Sequence, residues 1–186
     1  LEFFEKKTGI NKFILVGLCS GADYAHPFAL EDHRISGLLL IDGYGYVTKK
    51  FKNVALLKKL ISPKSWKNKI MGLFGKSKPL DARANRLNPE TYVREFPPRE
   101  QIANEIQQLS NRRVQMLYLY TSGVSDYYNY HGQFWDMLTP LTPDSTHHNV
   151  DTEYYPLSSH TFTFLEDRAQ MFERVSTWIL KRNWKS

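Results

Sequence analysis

Apolar residues fall in short blocks along this chain. Phe13–Val16, Ile35–Ile41 (ISGLLLI), Val114–Tyr120 (VQMLYLY) and Glu153–Leu157 are rich in β-formers, and turn-forming or polar stretches bound them. Blocks of this length read as strands, and the apolar run Ile35–Ile41 suits a parallel strand covered on both faces. The stretches between them carry helical spacing. Leu1–Thr8 reads as the end of an amphipathic helix stopped by Gly9, and a second helix runs from about Ala22 to Leu30. Leu165–Arg182 reads as a closing helix with Leu165, Ala169, Phe172, Val175, Trp178 and Ile179 on one face. Strands alternating with helices predict an α/β fold: a parallel sheet with right-handed crossovers, flanked by helices.

The composition narrows this to one globular domain. The 186 residues are 41% hydrophobic and 14% aromatic, enough for a real core, and no apolar run approaches the roughly 20 residues of a membrane span. One cysteine excludes an internal disulfide framework and fits a reducing, cytoplasmic setting. The histidines and the cysteine show no metal-ligand spacing, and His147-His148 read as solvated. Asp42-Gly43-Tyr44-Gly45 lacks the spacing of a dinucleotide loop, so neither a metal nor a cofactor is expected.

The first block runs straight into Gly17-Leu18-Cys19-Ser20-Gly21. Small-x-nucleophile-x-small is the spacing of a nucleophile elbow, a strained strand-to-helix turn on which flanking side chains would collide. Cys19 stands at the nucleophile position. Ser20 is the rival, but its flank Leu18 is too bulky for the same turn. The plain alternative is a buried cysteine in a glycine-tolerant turn. Asp126, in the loop Ser122-Gly123-Val124-Ser125-Asp126 after the third strand, and His160, in Ser158-Ser159-His160 after the fourth, fall at the same sheet edge. Nucleophile, acid, histidine is the chain order of a hydrolase triad. Asp126 would orient His160, which would take the Cys19 proton, and Asp42, ending the second strand, is the backup acid. The Ser20 N–H, at the start of the following helix, would supply one oxyanion donor.

A long insertion separates the second and third strands. It divides the chain into a core (1–44 and 113–186) and a helical cap (45–112). Its first part, Lys49–Lys78, holds ten lysines and no acidic residue, more than the whole net charge of +6. Leucines, isoleucines and Trp66 are interleaved. One reading is a lid whose lysines are merely solvated. The other is an anion-binding or membrane-surface cap, with Lys58, Lys59, Lys64 and Lys67 as the contacts. Nucleic acid is not expected, because arginine is absent from this stretch and no binding motif appears.

Taken together, GLCSGA, HRISGLLLIDGY, LKKLISPKSWKNKIMG, SGVSD and SSHTF resemble the bacterial α/β-hydrolases associated with exosortase systems, over about Phe13 to Trp178. The resemblance implies the C-terminal portion of an α/β-hydrolase fold, incomplete at its N-terminus, where further strands and a second oxyanion donor would precede Leu1. It implies a hydrolase of ester or thioester substrates, that is, a small-molecule acyl substrate. An elbow cysteine is also similar to that of dienelactone hydrolases and polyhydroxyalkanoate synthases. The competing class is a non-enzymatic protein that keeps the fold for binding, docking through its basic cap on an anionic lipid or polymer.

Overall fold

In the computed structural model, which describes residues 1–61, 95–139, 141–182 and 184, the apolar blocks become one sheet. Strands β1 (Phe13–Leu18), β2 (Ile35–Ile41), β3 (Gln115–Thr121) and β4 (Val150–Tyr155) lie in chain order, each parallel to the next. The helices among the described residues are α1 (Glu2–Thr8), α2 (Ser20–Glu31), α3 (Lys49–Ile61), α4 (Arg99–Asn111), α5 (Gln133–Leu138) and α6 (Leu165–Lys181). The expected α/β class with a parallel sheet between helices is the class observed.

Strand alternation sorts the side chains onto two faces. Leu38, Leu40, Met116, Tyr118 and Tyr120 pack on one side in the main core, together with Ala22 and Ala29 of α2 and Ile102, Ile106 and Leu109 of α4. Leu39, Ile41, Leu117 and Leu119 pack on the other side against Trp178 of α6. Both faces are covered, which is why β2 and β3 are apolar almost throughout. Behind the main core His26, fully buried on α2, donates from Nδ1 to Glu105 on α4 at 2.9 Å and ties the two helices together. Burial pushes the Glu105 carboxyl up, but hydrogen bonds from His26 and Gln101 outweigh it and hold the group below its ordinary range.

Three expectations need correcting. Helix α4 falls within the range assigned to a cap, yet Ile102, Ala103, Ile106 and Leu109 are at most 1% exposed in the main core. It is therefore a layer of the sheet domain. β4 starts at Val150, earlier than its apolar residues suggested, because Asp151 and Glu153 alternate toward the α6 side and pair with Arg174 of α6 and Arg182 just past its end. Helix α6 turns Met171, Val175 and Trp178 toward the sheet, leaving Leu165 and Phe172 of the expected face mostly exposed. No helix among the described residues is long and apolar enough to cross a membrane.

Candidate active site

β1 ends at Leu18 and α2 begins at Ser20, so Cys19 alone makes the turn, at φ 55° and ψ −121°. Non-glycine residues seldom adopt such a backbone, and strain of this kind gathers at functional sites. The Cys19 N–H donates to the Ile41 carbonyl at 2.8 Å, and its own carbonyl accepts from the Ala22 N–H at 2.9 Å. The residue is thus fixed from the sheet side and the helix side, and it is partly buried. A methyl group on Gly17 would lie 2.6 Å from both the Ala22 Cα and the Gly21 carbonyl oxygen, so the tight turn does require glycine there. Gly21 faces open space, and the expectation that both flanks are sterically forced holds only for Gly17. Ser20 opens α2, so its N–H is among the first-turn donors that no intrahelical carbonyl reaches, at the positive end of the helix dipole.

β2 ends at Ile41, and Asp42 follows in the left-handed region at φ 52°. Its carboxylate is fully buried, and a buried charge persists only with strong partners. One oxygen accepts the Thr121 N–H at 2.7 Å; the other accepts the Thr121 hydroxyl at 2.6 Å and His160 Nδ1–H at 2.6 Å. These are charge-assisted bonds of the strong kind. The acid that the structure places on His160 is therefore Asp42, not Asp126. The chain after β3 closes a 3-10 turn at Ser122–Val124, which sends Val124 inward and leaves Asp126 exposed to solvent.

The loop carrying His160 sits directly against that turn. Ser122 donates to the Ser158 carbonyl through its N–H at 3.1 Å and its hydroxyl at 2.7 Å. A methyl on Gly123 would lie 2.6 Å from the His160 Cβ, so the loop's approach depends on glycine. With Nδ1 held by Asp42, the ring's Nε2 is the nitrogen left to act on a thiol. His160 and Leu18, the residue before Cys19, line one cavity of about 200 Å³ with Ile41, Phe162, Met171 and Phe172. A larger cleft of about 500 Å³ lies at the amino end of β4, where Arg174 and Arg182 are already paired with Asp151. Cys19, Asp42 and His160 thus all stand at the carboxyl edge of the sheet.

Thr121 is the residue that pattern reading missed. It closes β3, caps the following turn by accepting the Gly123 N–H at 3.1 Å, and gives Asp42 two of its donors. Its only sequence signal is a threonine ending an apolar strand before Ser-Gly. Of the proposed anion contacts, Lys58 is tied inward to the Asn129 carbonyl at 3.0 Å. The side chain of Lys59, and residues Lys64 and Lys67, lie outside what the structure describes. Among the described residues no group of three His, Cys, Asp or Glu side chains could hold a metal ion.

The described residues form a parallel four-stranded sheet flanked by helices, with Cys19, Asp42 and His160 at its carboxyl edge. No family model matches the chain. Among curated proteins it is similar to the abhydrolase domain-containing protein lid-1 of Caenorhabditis elegans, 32% identical over 108 residues, which take in 52% of this chain and 29% of that protein. The chain thus spans less than a third of the length of that relative. Solved structures similar to it include an α/β-hydrolase enzyme from a sediment metagenome of the Mar Chica lagoon (14% identical, TM-score 0.45, covering 97% of this chain and 67% of that one). A variant of the meta-cleavage product hydrolase CumD is another (14%, TM-score 0.49, 96% and 69%). A carboxylesterase of the thaumarchaeon Nitrososphaera gargenis is a third (11%, TM-score 0.44, 96% and 68%).

Proposed function

We propose that this chain carries the nucleophile, the histidine and the acid of an α/β-hydrolase that cleaves an ester or thioester through an acyl-cysteine. The observation that supports this most is the 2.6 Å contact between His160 Nδ1 and a fully buried Asp42, at the sheet edge where Cys19 makes a strained turn. Asp42 keeps the proton on Nδ1 and leaves Nε2 free as a base. His160 Nε2 takes the Cys19 proton, and the sulfur attacks the carbonyl carbon. The oxyanion that forms is met by the Ser20 N–H. Collapse expels the alcohol or thiol, which leaves with the proton from His160, and a thioester to Cys19 remains. Water, deprotonated in turn by His160, attacks that thioester and restores the thiol. Cysteine as the nucleophile, and kinship with the exosortase-associated hydrolases, rest on the elbow residues and the lysine-rich segment.

Incubation with p-nitrophenyl acetate followed by peptide mass mapping tests the reading. One acetyl group on the peptide holding Cys19, absent in Cys19→Ala and strongly reduced in His160→Ala, is the expected result. Acetylation of Ser20, or an adduct that survives Cys19→Ala in full, would overturn it.

A further inference from the structure

Helix α3 is turned the wrong way round for a solvated lid. Its inner side holds Phe51, Val54 and Ala55, all partly buried, and there Lys58 donates to the Asn129 carbonyl at 3.0 Å. The start of the helix is pinned as well. The Thr48 hydroxyl oxygen accepts the Phe51 N–H at 3.0 Å, and Asn129 Nδ2 donates to the Phe51 carbonyl at 3.2 Å. Lys50 stands 4.7 Å from the centre of the Tyr130 ring and 3.5 Å from Asp136. In the second half of the helix the large apolar side chains face outward. Leu56 is 59% exposed, Leu57 56% and Ile61 70%, and Leu60 beside them 52%. At about 3.6 residues per turn these positions make one stripe, with Lys49 and Lys52 on its flank. The helix carries no acidic residue.

A run of large apolar side chains held outward marks an interaction surface, because water gains nothing from them. We propose that α3 docks the protein on an anionic lipid surface. The leucines and Ile61 would enter the boundary between headgroups and acyl chains, while Lys49 and Lys52 lay their stems along the apolar stripe and reach lipid phosphates. Charge selects this occupant: the exposed face is cationic and apolar together, with no carboxylate on the helix to repel the surface. A free phosphate or a carboxylated polymer would meet the lysines and leave the leucines in water. α3 starts seven residues after Asp42, at the end of β2. The proposal stands whether or not the site above hydrolyses an ester.

Vesicle flotation with the intact chain tests it, using phosphatidylcholine alone and phosphatidylcholine mixed with phosphatidylglycerol. Binding is expected to the mixed vesicles and far less to the neutral ones. Leu56→Ser, Leu57→Ser and Ile61→Ser combined should lower partitioning by about tenfold or more, with the thermal midpoint unchanged because these side chains are already exposed. Lys49→Gln with Lys52→Gln should lower it severalfold at low salt only, since exposed charges are screened over about 8 Å at physiological ionic strength. No binding to the mixed vesicles would overturn the proposal. So would equal binding by the serine variant, a lowered midpoint in that variant with binding kept, or self-association of the wild type that the serine variant abolishes without any vesicle binding.

Discussion

At the scale of single residues, two glycines with the same motif spacing have unlike jobs. Gly17 lies where a methyl group would press on the Ala22 backbone, and Gly21 lies in the open. Gly17→Ala should cost about 1–3 kcal/mol, as overpacking does, whereas Gly21→Ala, in the first turn of a helix, should be neutral to mildly stabilising. Denaturant midpoints of the two variants check this, and equal losses would contradict the steric account. The motif showed both glycines but could not show which backbone lay behind each. The carboxylate that bonds His160 was hidden for the same kind of reason. Asp42 and Asp126 both follow a strand, and the sequence has no way to display that a 3-10 turn after β3 swings Asp126 outward while Thr121 and His160 converge on Asp42.

At the scale of elements, pattern reading succeeded where burial dominates and failed where side-chain pairing does. β2 and β3 were legible because both faces are apolar. β4 was blurred because Asp151 and Glu153 serve as partners for Arg174 of α6 and Arg182 just past its end. Helix α4 was misplaced because its polar majority hides a narrow buried stripe. Ile106→Ala should therefore cost about 2–5 kcal/mol, measured by denaturant unfolding, and a loss typical of a surface site would return α4 to the cap. A second element-level link is electrostatic. Arg34 bonds to both Asp32 and Glu5, and its side-chain hydrogen bonds to Asp32 hold that carboxyl down to about 2. The ordinary carboxyl value is about 3.9. A carboxyl depressed in the folded state contributes stability above its unfolded value and loses it as the pH falls through the folded one. Arg34→Gln should thus lower the urea midpoint at pH 7 and at pH 5, with the deficit shrinking as the pH falls from about 4 toward 2. A deficit that stays constant over that range would contradict the pairing.

At the scale of the whole molecule, three strand ends bring the candidate residues to one edge of the sheet. Cys19 follows β1, Asp42 follows β2 and His160 lies beyond β4, while Thr121 at the end of β3 braces the acid. Chain order and strand count singled out Cys19 and His160 as candidates in the sequence, since each sits beside a turn signal after an apolar run. The orientation of α3, which opens the lysine-rich stretch, was not legible, because it hangs on Thr48, Asn129 and Tyr130, residues far apart in the chain. The central claim is that Asp42 works through His160 on Cys19. The most direct measurement is the rate of Cys19 alkylation by iodoacetamide at neutral pH in the wild type, Asp42→Asn, Asp126→Asn and His160→Ala. The account predicts a fall of about tenfold or more in Asp42→Asn and His160→Ala, in line with the large effect of losing an orienting acid, and a wild-type rate in Asp126→Asn. A wild-type rate in Asp42→Asn together with a slowed Asp126→Asn would contradict it.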